Sequence, residues 1–314
     1  MELRTPLTIG SLRLDRRLFM APMAGITTAP FRRSVRRWGA GLVFTEMISS
    51  HGLHYGNRRT VQYLACGADE HPIGFQLFGA DPAIMATAAE ACLAAGADLV
   101  DINMACPVRK VVKTGAGAAL LGEPATAVAI VRAVAAAVAG AAPVSVKIRA
   151  GLHAGDRLGV DIAHRLAEAG AAAVCIHPRY ASQLYRGAAD HALTRELCRV
   201  LPVPVIASGD VDGRPACEAL LAAGAAAAMV ARAAVGRPWL FTEILEPAAC
   251  ITPPERLKEV RRFVDEVVAG RGPRALGYLR QFWPRFRRHG ALDRDVANRL
   301  MAARDVTELR SLLA

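Results

Sequence analysis

A (β/α)8 TIM barrel followed by a small all-helical C-terminal domain is the fold that three features of this sequence predict. A helix, glycine, strand phrase recurs, eight apolar strand candidates alternate with helical stretches over about 240 residues, and the strand pattern then stops. The phrase reads Leu93-Ala-Ala-Gly-Ala-Asp-Leu-Val, then Leu166-Ala-Glu-Ala-Gly-Ala-Ala-Ala-Val, then Leu220-Leu-Ala-Ala-Gly-Ala-Ala-Ala-Ala-Met-Val. In each, an amphipathic helix ends beside Gly96, Gly170 or Gly224, and an apolar strand follows.

In chain order the strands are Leu18 to Pro22, Leu42 to Glu46, Ile73 to Phe78, the stretch after Gly96, Val144 to Ile148, the stretch after Gly170, Val203 to Ala207, and the stretch after Gly224. A doubly wound sheet is the alternative, but no GxGxxG follows the first strand. After Pro238-Trp-Leu-Phe241 the strand pattern ends, and Pro253-Pro254 opens a helical remainder. The expected domains are therefore 1–245 and 246–314, with the boundary near 245 to 253.

With 314 residues and 53% hydrophobic content, the chain can bury a large core. Its seven cysteines are odd in number and lack CxxC spacing, which excludes a disulfide framework and a zinc site and points to a reducing, cytoplasmic setting with no metal. Charges in Met1 to Arg17 exclude a signal peptide, and residues such as Arg132 interrupt the Ala-rich runs, so no membrane segment is expected.

The net charge of +11 is uneven, because 251–314 holds fourteen Lys or Arg against eight Asp or Glu. Arg271, Arg274, Arg280, Arg285, Arg287 and Arg288 fall in a stretch without acids, interleaved with aromatics, a composition that suits a phosphate backbone. Tyr278, Phe282 and Phe286 repeat at i, i+4, i+8 and read as the core face of a helix, which leaves the arginines for an acidic partner.

Polar residues gather where these strands end. They are Met23 after Ala21-Pro22, Glu46, Gln76, Asn103 with Cys106, Lys147 and Arg149, His177, Ser208-Gly209-Asp210, and Ala231-Arg232. In a parallel barrel all of these ends open on one mouth. Cys106 stands just past a buried strand, between Asn103 and the cations Arg109 and Lys110, and Pro107 ends regular structure there. On residue type its thiol is open to nucleophile, metal-ligand or filler roles, of which the lack of CxxC spacing sets the metal aside, whereas Cys175, within a strand, reads as filler. Gln76 and His177 are each divided between ligand contact and ordinary structural polarity. The basic, glycine-rich segment from Arg109 to Gly117 is expected to be a mobile lid over Cys106.

Six motifs in consistent order carry a resemblance. Met20-Ala-Pro-Met-Ala-Gly-Ile-Thr, Asp101-Ile-Asn-Met-Ala-Cys-Pro-Val-Arg-Lys-Val, Val146-Lys-Ile-Arg, Ile176-His-Pro-Arg, Ala207-Ser-Gly-Asp-Val and Met229-Val-Ala-Arg-Ala-Ala-Val-Gly-Arg-Pro-Trp-Leu-Phe resemble the motifs of bacterial tRNA-dihydrouridine synthases, most like the B-type subfamily. The resemblance implies FMN as cofactor, NADPH as electron donor and tRNA as substrate. It also implies reduction of the uridine C5=C6 bond to 5,6-dihydrouridine; separately, a monomer is expected. Cys106 becomes the acid that protonates C5, while hydride reaches C6.

Pro22, Met23, Ala24, Gln76, Lys147 and His177 are then expected around the flavin, with Ser208, Gly209, Asp210, Ala231 and Arg232 toward its phosphate. Ala231 stands where the family has glycine, and its methyl requires a negative φ. Asn103 and Arg149 are assigned to the flipped uridine, and Arg280, Arg287 and Arg288 to the tRNA backbone. Target position 17 of the D-loop is the B-type expectation. Two other readings stay open: a dihydroorotate-dehydrogenase-like FMN barrel, and a non-catalytic RNA-binding protein. The Val108-Arg-Lys continuation and the arginine-rich tail weigh against the first, and purified protein without flavin absorbance, even after adding FMN, would leave only the second.

Overall fold

The structure, a computed structural model, describes residues 2–313. Two short antiparallel strands come first, β1 (Leu7–Ile9) and β2 (Leu12–Leu14), turning at Gly10. The parallel strands follow: β3 (Leu18–Met20), β4 (Val43–Phe44), β5 (Ile48–Ser49), β6 (Ile73–Phe78), β7 (Leu99–Met104), β8 (Val144–Gly151), β9 (Ala173–Tyr180), β10 (Val205–Ser208) and β11 (Ala227–Val230). They pair in the order β3, β11, β10, β9, β8, β7, β6, β4, and a parallel bridge between Phe19 and Leu42 joins the ends. Both β4 and β5 pair with β6, so together they make one barrel strand and the count is eight.

Between the strands run α1 (Ala29–Arg37), α2 (Pro82–Ala94), α3 (Pro124–Val138), α4 (Leu158–Glu168), α5 (His191–Val200) and α6 (Arg214–Ala222), and α7 (Leu240–Leu245) follows the last strand. After β5 the place of a long helix is taken by the short turns Ser50–His54 and Arg58–Val61. Gly96, Gly170 and Gly224 have φ of +93°, +113° and +101°, the left-handed conformation that the recurring phrase requires at its helix ends.

Several strand ends differ from the sequence expectation for identifiable reasons. The first strand stops at Met20 because Pro22 has no N–H to donate, although Ala21 still bonds Val230. The second is split because the Thr45 hydroxyl enters the ladder, accepting the Gln76 backbone N–H at 3.1 Å in place of a carbonyl. β10 starts at Val205, one residue past Pro204, whereas β9 runs through Pro178 to Tyr180.

Strand periodicity sorts the barrel interior into layers, since residues two apart share a face. At the floor Phe19, Phe44, Leu99, Ala173, Ile206 and Ala227 pack with Leu7, Ile9 and Leu14 of the hairpin. Two residues further along each strand come Gln76, Asp101, Ser145, Cys175 and Met229, and another two bring Asn103, Lys147 and His177. The alternate residues, such as Val100, Ile102, Val146 and Val174, face the helices.

From Thr252 the chain is helical: α8 (Pro253–Arg271), α9 (Ala275–Leu279), α10 (Trp283–Arg288), α11 (Arg294–Ala302) and α12 (Val306–Leu313). Thr252 and Glu255 form a capping box ahead of Pro253-Pro254, which explains the sharp start of α8. Tyr278, Phe282 and Phe286 are buried, as their spacing predicts, but not on one helix: Tyr278 is on α9, Phe286 on α10 and Phe282 in the turn between them, with Pro284 in the first turn of α10. Phe263 and Phe282, 4.9 Å apart, pack with Phe31 of α1. The polar contacts are equally directed at the first barrel unit. Ser34 donates to Glu259 at 2.6 Å, Arg37 bonds Glu259 at 2.7 Å and Glu266 at 2.8 Å, and the Tyr278 hydroxyl donates to the Ile26 carbonyl at 2.9 Å.

Glu259 is 6% exposed, so removing it strands the Ser34 hydroxyl and leaves Arg37 with Glu266 alone at this seam. Glu259→Ala is expected to cost about 2–3 kcal/mol, read as a lower denaturant midpoint, with Arg37 partly solvated and so limiting the loss. An unchanged midpoint would mean that the aromatic contacts alone hold the helices.

Candidate active site

The C-terminal ends of the strands surround a cavity of about 950 Å³, near the upper end of the ~300–1,000 Å³ usual for ligand sites. Pro22, Met23 and Ala24 line it from the loop after β3, Gln76 from β6, and Lys147 and Arg149 from β8. His177 enters from β9, Ser208, Gly209 and Asp210 from the end of β10, and Ala231 and Arg232 from the end of β11. Asn103 and Cys106 complete the wall. Residues as far apart as Pro22 and Arg232 thus meet, as the strand-end positions predict. From the helical region Arg288 reaches the rim; Arg280 does not, since it donates to the Ala303 carbonyl at 3.3 Å, and Arg287 is exposed outside the cavity.

Cys106 is held from its backbone. The Asn103 side-chain oxygen accepts the N–H groups of Ala105 at 3.0 Å and Cys106 at 2.9 Å, while the Cys106 carbonyl accepts Ala118 N–H at 3.0 Å. Gly117, at φ +64°, permits that return, because a Cβ there would stand 2.7 Å from the Cys106 oxygen. The expected lid segment is folded here into a helical turn, Arg109–Val112, that runs back onto Cys106. Burial raises the Cys106 thiol above its ordinary value, against the opposing pull of the Val108 N–H and the Arg149 and Lys147 charges.

Arg149 is almost wholly buried, and its donors serve backbone: Nε bonds the Ala105 carbonyl at 2.9 Å, and Nη1 bonds Tyr180 at 3.0 Å and Leu184 at 2.9 Å. It therefore ties the cysteine loop to the loop after β9. His177 sits among Lys147, Arg149, Arg179 and Arg232, and burial followed by these cations brings its pKa down to about 2, so the ring is neutral. Its ring packs against Gly209, where a Cβ would meet Cδ2 at 2.7 Å. Asp210, at φ +52°, accepts Arg179 at 2.7 Å and Ala189 N–H at 2.8 Å. Burial raises its carboxyl, but those bonds and cations outweigh it and the net shift is downward. Ala231 has φ −125°, so the methyl in place of glycine is accommodated.

Several contributors are not marked in the sequence. Tyr185, 57% exposed at the mouth, lies 4.9 Å beneath the Arg232 guanidinium and beside His177; no motif or periodicity singles it out. Arg285 and His289 line the rim next to Arg288, and Met47 touches Asn103 through its sulfur. Asp101 bonds Gln76 and Ser145 below the mouth, a role that only the period-two spacing with Asn103 could have suggested. Glu46, a strand-end residue in the sequence, accepts Gly25 N–H at 2.5 Å and shapes the Met23 loop, whose Gly25 carbonyl also takes Gln281 from the turn after α9.

A closed parallel barrel with an apolar floor, and with amides, cations and a thiol at its open end, defines a TIM-barrel enzyme. Matches with known proteins narrow the class. The chain belongs to the dihydrouridine synthase family, whose model matches residues 19–270. It is 39% identical over 237 residues to tRNA-dihydrouridine synthase B of Pseudomonas aeruginosa, covering 75% of this chain and 71% of that one. It is 42% identical over 241 residues to a probable tRNA-dihydrouridine synthase 1 of Synechocystis sp., covering 76% and 67%. Among solved structures it is similar in fold to morphinone reductase in complex with tetrahydroNAD, with TM-score 0.58 at 17% identity over 81% of this chain and 93% of that one. Histamine dehydrogenase from Rhizobium sp. 4-9 gives TM-score 0.60 at 15% identity, over 83% and 51%. No helix among the described residues is long and apolar enough to cross a membrane.

Proposed function

We propose that this protein reduces the C5=C6 bond of particular uridines in tRNA, with FMN held at the barrel mouth, NADPH as electron donor and Cys106 as the acid. One observation carries the reading: a half-buried, protonated thiol shares its cavity with Lys147, Gln76 and glycine-shaped turns at one end, and with arginines of the helical region at its rim.

The cavity suits such a cofactor. Gly209 and Asp210, Ala231 and Arg232 offer backbone N–H groups and a cation to a phosphate, and the bare Cα of Gly209 leaves His177 in place. Gln76, with both donor and acceptor, and the Lys147 ammonium suit the edge of a ring that gains negative charge on reduction. Pro22, Met23, Ala24 and Ser208 close its sides. FMN bound there supplies hydride to C6.

The chain's own residues do the rest. Reduction adds one hydride at C6 and one proton at C5; the Cys106 Sγ–H supplies that proton and is later restored from solvent. Asn103 fixes the loop that carries the thiol, and Arg149 fixes the same loop from the other side. A uracil stacked in an RNA helix cannot enter a barrel mouth, so the base must be swung out, and the residual donors of Arg149 and the Tyr185 face stand where it would arrive. In this reading residues 1–245 carry the chemistry and 246–314 help to grip the RNA, in the cytoplasm. A dihydroorotate-dehydrogenase-like activity finds less support, since it gives no use to Arg285, Arg287 and Arg288.

The decisive test is to incubate purified protein, FMN and NADPH with unmodified tRNA and map dihydrouridine by mass. Formation at one D-loop position is expected; none, with flavin bound and reduced, would overturn the reading. In addition, Arg287→Glu with Arg288→Glu should weaken tRNA binding and lower its salt slope by about 0.7–0.9 for each phosphate no longer neutralised, with flavin reduction by NADPH unchanged. Equal affinity at every salt concentration would make these arginines a solvated face.

A further inference from the structure

Below the mouth lies a hydrogen-bonded column whose foot, Asp101 with Ser145, the proposed reaction does not itself use. Ser145 Oγ meets Asp101 Oδ1 at 2.5 Å, Gln76 Nε2 donates to Asp101 Oδ2 at 2.6 Å, and Asn103 Nδ2 donates to Gln76 Oε1 at 2.8 Å. Asn103 Oδ1 then accepts the backbone N–H groups of Ala105 and Cys106. Asp101 and Ser145 are buried to 2% and 1% exposure, and Gln76 is fully buried.

We infer that Asp101 is a positioning residue: it sets which way the amides of Gln76 and Asn103 face, and through them holds Cys106 in place. The inference rests on the dihydrouridine synthase reading for what Cys106 does.

Donor and acceptor types dictate each direction in the column. Backbone N–H groups can only donate, so Asn103 must turn its oxygen toward them and its NH2 toward Gln76. Gln76 must then present oxygen to Asn103 and NH2 to its other neighbour. That neighbour must be an acceptor, and Asp101 Oδ2 is one. Without it, a buried Gln76 NH2 has no partner at that end, and a flipped amide would oppose NH2 to NH2 at Asn103.

Ser145 makes the column indifferent to the charge on Asp101. Its hydroxyl donates to a carboxylate and accepts from a carboxylic acid on Oδ1, so Oδ2 remains an acceptor in both states. Burial raises the Asp101 carboxyl to about 6, opposed by the Gln76 and Ser145 bonds and by Lys147, so both states occur near neutrality. The groups facing it are Gln76 from β6, Ser145 and Lys147 from β8, and Cys175 from β9. In Asp101→Asn the new side chain imitates the protonated form, with Nδ2 toward Ser145 and Oδ1 toward Gln76.

The test compares FMN-loaded Asp101→Asn, Asp101→Ala, Gln76→Ala and the Asp101→Ala/Gln76→Ala double variant for kcat, tRNA Kd and the side-chain amide signals of Gln76 and Asn103 in 15N spectra. Asp101→Asn should keep both amide signals and lose less than about tenfold in kcat. Asp101→Ala should shift both signals and lose about 100-fold in kcat at unchanged tRNA Kd. In the Gln76→Ala background the same change should add no more than about twofold, because the effect passes through Gln76. Multiplying losses, or unmoved amide signals in Asp101→Ala, would overturn the inference. If Asp101→Ala does not fold, Asp101→Asn still decides: a kcat as low as that of Cys106→Ala, with FMN and tRNA bound, would show that charge and not amide direction is required. An inactive wild type would instead fail the functional reading itself.

Discussion

Cys106→Ala is expected to bind FMN and tRNA as the wild type does and to lose turnover by about 10²–10⁴, the range for removal of a positioned general acid. The loop should keep its place on losing Sγ, because Asn103 holds it through the backbone N–H groups of Ala105 and Cys106, and only the Val108 N–H loses a partner in the thiol. The pH profile separates an acid from a nucleophile. A general acid works while protonated, and burial raises the Cys106 thiol above its ordinary 9.0. Wild-type kcat should therefore stay level through neutrality and decline only in the alkaline range above that value, a limb missing from the residual activity of the variant. Single-turnover rates across pH check this. Full turnover in Cys106→Ala would assign the proton to another group.

Arg149→Ala should reduce kcat by about 100-fold and stability by about 3 kcal/mol together. The guanidinium is buried and bonds three carbonyls, those of Ala105, Tyr180 and Leu184, and each would be left short of a donor. Two loops would come free of their common anchor at once: the one with Cys106 and the one with Tyr185. Arg149→Lys should behave almost as badly, since one ammonium on a flexible stem cannot reproduce a planar fork aimed at separate oxygens. Thermal midpoints and kcat of the FMN-loaded variants read both effects. Restoration by lysine would show that charge toward the RNA, not the carbonyl fork, is what matters.

The barrel was legible because its signals are local. A left-handed glycine after an amphipathic helix and an apolar run of strand length are properties of a few adjacent residues, and Gly96, Gly170 and Gly224 adopt the conformation that the phrase demands. The N-terminal hairpin was not, since Leu7, Ile9 and Leu14 look like scattered apolar residues until a barrel floor exists for them to cover. Site membership followed from strand ends, which is why Lys147 and Gln76 were anticipated and Tyr185 was not: it comes from mid-loop, and its place depends on Arg149 and Arg179 gripping that loop. The contrast among Arg280, Arg287 and Arg288 has the same origin. One sequence cannot reveal that one guanidinium is drawn to the Ala303 carbonyl while another faces the cavity rim.

The β1–β2 hairpin has a consequence for traffic. By stopping the lower end of the barrel with Leu7, Ile9 and Leu14, it turns the interior, among the described residues, into a blind alley that opens at the C-terminal ends of the strands. Anything that reacts at the depth of Lys147 must arrive and depart through the same opening, under the helical region. On the proposed function, a dinucleotide donor and a bulky RNA loop would both have to use that opening, and their visits would alternate.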